Sequence, residues 1–144
     1  MNRPYEGDVS VEDCWNRLRA DADAFLIDVR TRAEWAFVGV PDTADAHRDP
    51  LFTEWQSYPT MAVDPQFADR VAEAVQAAGG TAQSPLFFLC RSGARSMGSA
   101  AALTARGFAH CFNIEGGFEG PPNEHGHRGT VAGWKAAGLP WRQK

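Results

Sequence analysis

Cys90 carries the clearest signal for chemistry in this sequence. It ends a short apolar run, residues 85–90, and the four residues Arg91-Ser92-Gly93-Ala94 separate it from Arg95. A tight loop that contains glycine and opens a helix turns backbone N–H groups inward and adds the positive end of the helix dipole. Together with the guanidinium groups of Arg91 and Arg95, these donors favour the thiolate over the thiol. The pattern therefore predicts a nucleophile in a loop that also holds an anion, with a buried core cysteine as the alternative.

The other cysteines and a pair of histidines predict structural roles. Cys14 and Cys111 stand far from Cys90 and from each other, so the three cysteines form neither a disulfide framework nor a paired set of zinc ligands. We expect both to be buried core thiols. His125-Gly126-His127 has Glu124 beside it but no clear third ligand, which predicts a surface turn. The sequence therefore predicts no metal site, and it indicates no cofactor.

Amphipathic and apolar segments alternate along the chain. Ser10 is a good helix N-cap, Asp64-Pro65 is a typical helix start, and Gly79-Gly80 ends the segment that follows. The patterns predict helices over 11–20, 65–78, 95–106 and 130–137, a helical turn over 31–35, buried strands over 25–29, 85–90 and 110–114, and a short strand over 43–47 with a short helix over 50–57. The segment 37–64 is rich in proline and aromatic residues, and we expect it to cover another part of the molecule.

Strands that alternate with helices predict an α/β fold, a small parallel β-sheet of about five strands covered by helices on both faces. Ligands of such sheets bind at the carboxyl ends of the strands. Asp28 and Arg30 follow one predicted strand, and the Cys90 loop follows another. Both strand ends therefore belong to the predicted site.

Four motifs occur in order along nearly the whole chain. They are Leu26-Ile27-Asp28-Val29-Arg30 with Glu34-Trp35, the loop Cys-Arg-Ser-Gly-Ala-Arg-Ser at 90–96, the glycine turn Asn113-Ile114-Glu115-Gly116-Gly117, and the segment 133–140. Together they resemble the motifs of single-domain rhodaneses, the thiosulfate and persulfide sulfurtransferases, in which the last segment is a terminal helix. The resemblance implies one rhodanese-like domain over 1–144. Two segments, 49–64 and 121–129, are longer than a minimal member of that family needs.

The resemblance implies sulfur transfer through a persulfide on Cys90. The thiolate would attack the outer sulfur of thiosulfate or of a small or protein-bound persulfide, and a thiol or cyanide would accept the sulfur in a second step, which predicts ping-pong kinetics. We expect the donor to be held by the six residues that follow the cysteine: Arg91, Ser92, Gly93, Ala94, Arg95 and Ser96. Arg91 is the candidate for binding a sulfonate, and Arg95 either shares that task or braces the loop through an ion pair.

Asp28 and Arg30 are predicted to support the site rather than to react. The resemblance implies that Asp28 lies beneath the loop and pairs with an arginine or with loop amides, and a solvated charge at the strand end is the alternative. We expect Arg30 to pair with Glu34, four residues further on in the helical turn.

Two other activities use a similar loop. Cysteine phosphatases have one residue more between the cysteine and the arginine, so the shorter loop here predicts a pocket too tight for a tetrahedral phosphoester and disfavours phosphatase or arsenate reductase activity. A sulfur-carrier or regulatory module with a protein partner would use the same Cys90 loop. The rate of transfer from thiosulfate to cyanide distinguishes such a module from an enzyme.

Length and composition limit the remaining classes. The 144 residues include 44% hydrophobic and 22% charged side chains, a globular composition of a size that one core accommodates. The net charge of −4 argues against a nucleic-acid partner. No apolar run approaches the ~20 residues that cross a bilayer, and the first residues show no secretory signal. We therefore expect a cytoplasmic protein without a nucleic-acid or membrane partner.

Overall fold

A five-stranded parallel sheet forms the centre of the computed structural model, which describes residues 4–143. The helices are α1 (Val11–Ala20), α2 (Arg32–Phe37), α3 (Phe67–Ala77) and α4 (Ala94–Ala105). The strands are β1 (Gly7–Val9), β2 (Phe25–Asp28), β3 (Val40–Pro41), β4 (Leu51–Phe52), β5 (Gln56–Ser57), β6 (Ala62–Val63), β7 (Leu86–Leu89), β8 (Cys111–Ile114) and β9 (Trp141–Arg142). The sheet order is β1-β8-β7-β2-β4, and each neighbouring pair is parallel. Two short antiparallel pairs, β3–β9 and β5–β6, form separately.

Alternate strand residues face two hydrophobic clusters on opposite sides of the sheet. Ile27 and Phe88 belong to one cluster, and their chain neighbours Leu26 and Phe87 belong to the other. Helices α3 and α4 pack on the first face, and α1 packs on the second together with Trp134 from the C-terminal segment. Because both faces are covered, the strands read as continuous apolar runs in the sequence. The predicted α/β fold with helices on both faces is confirmed.

The carboxyl ends of three neighbouring strands meet at one edge of the sheet. The register of β2 and β7 pairs Asp28 with Leu89, the residue before Cys90. On the other side of β7, strand β8 ends at Ile114 and leads directly into the glycine turn that begins at Glu115. This edge therefore brings together the three polar segments that follow these strands.

Local capping accounts for the starts of α1 and α2. The Oγ atom of Ser10 accepts a hydrogen bond of 3.0 Å from the backbone N–H of Asp13. Thr31 and Glu34 form a capping box in which each side chain accepts a bond from the other residue's backbone N–H. Both helices begin within one residue of the predicted positions. None of the helices within 4–143 is long and apolar enough to cross a bilayer.

The helix predicted over 130–137 is wrong, and turns occupy this segment instead. Gly133 has a φ of +100°, which a helix does not allow. The next backbone N–H groups bond the glycine turn after β8 rather than the preceding helical turn: Trp134 donates to the carbonyl of Gly117 at 2.8 Å, and Lys135 donates to that of Phe118 at 3.2 Å. Tertiary contacts therefore satisfy the backbone groups that the helical pattern assigned to a helix.

The short strand predicted over 43–47 and the helix predicted over 50–57 are also wrong. The segment 37–64 instead contains β3, β4 and the β5–β6 hairpin. Strand β4 adds an edge to the sheet beside β2, and the N–H groups that follow it continue that alignment. Thr53 donates to the carbonyl of Asp28 and Trp55 to that of Val29, each at 3.1 Å. Pairing with β2 therefore determines the local structure here.

Helix α3 begins later than the proline signal predicts. The carboxylate of Asp64 accepts a bond of 2.9 Å from the N–H of Gln66, and the N–H of Phe67 bonds the Asp64 carbonyl at 3.1 Å. These bonds form a turn before the helix, which starts at Phe67. The other predicted helices and strands agree with the structure to within two residues at each end.

Candidate active site

Cys90 follows the carboxyl end of β7 and lies at the centre of the candidate site. Its Sγ atom accepts hydrogen bonds from the backbone N–H groups of Gly93, at 3.1 Å, and Ser96, at 3.3 Å. The Oγ atom of Ser96 lies 3.2 Å from the same sulfur. Gly93 has a φ of +103°, so only glycine takes this conformation without strain, and it directs its N–H group towards the sulfur. The predicted inward-facing donors are therefore present around Cys90.

A cavity of about 450 Å³ opens onto this loop. Its lining residues are Glu34, Val38, Tyr58, Met61, Cys90, Arg91, Ser92, Ala94, Arg95, Glu119 and Arg128. Cys90 is packed among core residues, with 1% of the residue exposed, and it also lines the cavity. The cavity is therefore the side from which a reactant approaches this residue. Tyr58 and Met61 come from the β5–β6 hairpin, which covers one side of the cavity. A small molecule therefore fits between the loop and this cover.

Arg95 braces the loop through an ion pair with Glu34. Its Nη1 and Nη2 atoms donate to Oε1 and Oε2 of Glu34, each at 2.8 Å. Burial favours the neutral carboxyl, but the hydrogen bonds and charge of Arg95 hold the pKa of Glu34 below its usual value. Arg95 was predicted either to share in binding a sulfonate or to brace the loop through an ion pair, and the ion pair is present. The predicted pair between Arg30 and Glu34 is wrong, because Arg95 occupies the Glu34 carboxylate.

Arg30 pairs instead with Asp28 in the interior, with both side chains 0% exposed. The Nη2 atom of Arg30 donates to Asp28 Oδ2 at 2.7 Å and to the carbonyl of Gly39 at 2.8 Å, and Nε donates to Asp28 Oδ1 at 3.0 Å. The guanidinium carbon lies 4.2 Å from the ring centroid of Phe118. Asp28 therefore pairs with an arginine, which excludes the solvated alternative. Neither Asp28 nor Arg30 lines the cavity.

The glycine turn after β8 packs directly beneath the Cys90 loop. The N–H of Phe118 bonds the Cys90 carbonyl at 2.8 Å, and the N–H groups of Glu119 and Gly120 bond the Arg91 carbonyl at 2.9 and 3.1 Å. A Cβ atom on Gly117 would lie 2.5 Å from the Cys90 carbonyl oxygen. The turn and the loop therefore fit together only with glycine at this position. Through Phe118, the buried Asp28–Arg30 pair supports the same turn.

A chain of hydrogen bonds leads from the sulfur to Asp8, the middle residue of β1. Ser96 Oγ donates to Asn113 Oδ1, and Asn113 Nδ2 donates to Asp8 Oδ1 at 3.0 Å. The carboxylate of Asp8 also accepts from the hydroxyl of Tyr5 at 2.9 Å. Neither Asn113 nor Asp8 is predicted from the sequence to have a role of its own. The available signal was a polar residue, Asn113, within an otherwise apolar strand.

The remaining candidates lie outside the cavity. Cys14 and Cys111 are 0% exposed. Burial raises the pKa of both thiols, that of Cys111 to about 11. Both are buried, as predicted. His125 and His127 are exposed in a surface turn, and no three His, Cys, Asp or Glu residues within 4–143 are placed to hold a metal ion.

Comparison with known proteins identifies relatives along most of the chain. Residues 10–120 match the family described as Rhodanese-like domain. An uncharacterized protein of Rickettsia rickettsii is 36% identical over 128 residues, which cover 89% of this chain and 90% of the relative. Rv0390 from M. tuberculosis, a solved crystal structure, is 39% identical with a TM-score of 0.83, over 97% of this chain and 99% of that one. A polysulfide-sulfur transferase homodimer from Wolinella succinogenes has the same fold at 22% identity, with a TM-score of 0.62 over 98% of this chain and 80% of that one.

Proposed function

Because the chain belongs to the rhodanese-like domain family, we propose that it is a sulfurtransferase of the thiosulfate sulfurtransferase type. Cys90 takes a sulfane sulfur from thiosulfate or a persulfide, carries it as its own persulfide, and passes it to a thiol or cyanide. One observation carries the proposal: two backbone N–H groups donate to the Cys90 sulfur, at 3.1 and 3.3 Å, beside a cavity of small-molecule size. Such donors stabilise a thiolate that attacks in one step and leaves in the next.

Both half-reactions balance in atoms and electrons. In the first, the Cys90 thiolate attacks the outer sulfur of thiosulfate and forms a new S–S bond. The bond between the two donor sulfurs breaks, and its electron pair leaves with sulfite. In the second, cyanide or a thiolate attacks the outer sulfur of the persulfide, and the electron pair of the broken S–S bond returns to Sγ. The enzyme alternates between two covalent states, so we expect ping-pong kinetics.

The loop residues divide the work between the sulfur and the donor. The N–H groups of Gly93 and Ser96 hold the charge on Sγ before attack and after release. The side chain of Arg91 is exposed at the cavity, where its guanidinium fits a sulfonate or carboxylate. Arg95 keeps the loop in shape through Glu34. Both Nη atoms of Arg95 donate to the Glu34 carboxylate, so they are not free to bind a phosphate group. This arrangement supports sulfur transfer over phosphoester hydrolysis.

A panel of sulfur donors tests the proposal. The protein is treated with thiosulfate and, separately, with glutathione persulfide, and then passed to cyanide, with intact mass measured after each donor. We expect one added sulfur on Cys90, lost again on addition of cyanide, and no turnover by Cys90→Ser. Cys111→Ser is the matched control, because that thiol is buried away from the cavity, and it should retain activity.

Two results would contradict the enzyme proposal. Retained turnover in Cys90→Ser would exclude a Cys90 persulfide. Transfer that is slow from both small donors but fast from a protein persulfide would favour the sulfur-carrier module instead.

A further inference from the structure

Arg128 lines the same cavity as Cys90, yet it comes from a part of the chain that the family match does not include. That match ends at residue 120, and Arg128 belongs to the segment 121–129 that follows. The side chain is half-buried, and its Nη1 atom donates to the carbonyl of Gly120 at 2.6 Å. One side of the guanidinium is therefore fixed to the turn beneath the Cys90 loop, and the group borders the space that a substrate would occupy.

Asn123 organises the loop that carries Arg128. Its Oδ1 atom accepts from the N–H groups of His125, at 2.9 Å, and His127, at 3.0 Å, and its Nδ2 donates to Thr130 Oγ1 at 3.0 Å. The N–H of Gly129 closes the loop by donating to the Glu119 carbonyl at 2.7 Å. These hydrogen bonds hold the loop in one conformation and therefore fix the position of the Arg128 backbone.

The charged residues that line the cavity favour the binding of an anion. Among residues 4–143, three arginines and two glutamates line it, which gives an excess of one positive charge. Arg95 and Glu34 neutralise each other through two bonds of 2.8 Å. Arg91, Arg128 and Glu119 are the other charged residues of the lining, and Glu119 also interacts electrostatically with Lys135, which does not line the cavity. The net positive charge of the lining therefore comes from Arg91, in the Cys90 loop, and from Arg128, in the segment 121–129.

We infer that Arg128 is a specificity-determining residue that binds the anionic oxygen group of the sulfur donor, together with Arg91. The inference rests on the proposed sulfurtransferase function. The shared chemistry is a negatively charged oxygen group, either the sulfonate of thiosulfate or a carboxylate of a small thiol persulfide. A guanidinium fixed at one nitrogen keeps its remaining N–H groups available in a planar arrangement that suits either group.

Steady-state kinetics of Arg128→Gln tests the inference. In a ping-pong reaction, kcat/KM for the donor and kcat/KM for the acceptor report separate half-reactions. We expect kcat/KM for thiosulfate to fall about tenfold, as loss of a charge-assisted hydrogen bond implies, while kcat/KM for cyanide stays within twofold. Arg128→Lys should recover part of the loss, because it keeps the charge without the planar fork. Arg106→Gln, at the far end of α4, is the matched control and should change neither value.

The outcomes separate this inference from the proposed function. A fall for thiosulfate alone assigns the sulfonate, a fall for glutathione persulfide alone assigns the carboxylates, and a fall for both shows that Arg128 binds either group. An unchanged kcat/KM for both donors overturns the role of Arg128 and leaves the Cys90 mechanism standing. Equal falls for donor and acceptor also overturn it, since they indicate general damage to the site. Failure of Cys90 to form a persulfide with either donor overturns the proposed function, and the inference with it.

Discussion

Replacing Asp28 with asparagine should destabilise the protein far more than an ordinary charge removal does. Asp28 and Arg30 are both 0% exposed, and the carboxylate accepts from Nε and Nη2 of the guanidinium at 2.7–3.2 Å. Asp28→Asn keeps the size of the side chain but leaves a full positive charge in the interior. Removing one partner of a buried ion pair costs about 3–5 kcal/mol in free energy of unfolding, whereas an exposed pair contributes about 0–1 kcal/mol.

Equilibrium denaturation in urea measures this difference. The matched control is Asp69→Asn, because Asp69 pairs with Arg106 at a similar distance, 3.0 Å, but with side chains 64% and 48% exposed. We expect the control to lose less than about 1 kcal/mol. The double variant Asp28→Leu/Arg30→Met should be more stable than Asp28→Asn alone, since it buries no unpaired charge.

A loss of less than about 1 kcal/mol for Asp28→Asn would refute the reasoning, because it would mean that water or another group replaces the carboxylate without cost. If Asp28→Asn does not fold, the double variant decides the matter. A double variant that also fails to fold would show that the pair itself, rather than the unpaired charge, is essential to the fold.

The remaining predictions concern the loop and its brace. Arg95 holds the pKa of Glu34 below its usual value despite burial, so this pair stabilises the fold above the unfolded pKa of about 4.3 and the contribution is lost as pH falls below it. Glu34→Gln should therefore flatten part of the fall in stability between about pH 5 and pH 3, and an unchanged profile in urea denaturation would contradict this. Gly93→Ala places alanine at a φ of +103°, which should cost about 1 kcal/mol or more in stability and slow persulfide formation, and wild-type rates by stopped-flow assay would count against the loop geometry. Iodoacetamide at pH 7 should label Cys90 well before Cys111, whose pKa burial raises to about 11, and equal labelling in peptide mapping would show that the cavity does not control access.

Local sequence patterns predicted the central sheet because its strands and helices are specified by short-range features. Both faces of the sheet are covered, so β7 is apolar along its whole length, and β2 and β8 contain a single polar residue each, Asp28 and Asn113. Ser10 and Thr31 mark helix starts through hydrogen bonds to residues three positions away. Both partners of each bond lie within one helical turn, so the local sequence is enough to predict these helix starts.

The errors come from segments whose hydrogen bonds lead to distant parts of the chain. The N–H groups after Gly133 bond the turn after β8, and those after β4 bond the end of β2, so the local helical pattern was overridden in both places. The strands β1 and β9, of three and two residues, were missed because they are defined by their partners and not by an apolar run.

The site was predicted in part for the same reason. The loop after Cys90 is continuous in sequence, so its donors followed from residue types alone. The partner of Glu34 did not: Arg30 satisfies the helical spacing, but Arg95, sixty-one positions away, makes the contact. Arg128 and Asn113 lie far from Cys90 in the sequence and approach it only in the folded chain, so their spacing in the sequence does not predict them.

Trp134 gives the C-terminal segment a significance that its turns do not suggest. The side chain is fully buried, makes an edge contact with Trp15 at 5.8 Å between ring centroids, and bonds the carbonyl of Pro140 through its indole nitrogen at 2.7 Å. It lies fourteen residues beyond the last position that matches the family. The hydrophobic core of this chain therefore includes residues beyond the segment that matches the family. A protein shortened to residues 10–120 would lack the indole ring and would expose the part of the core that the ring now covers.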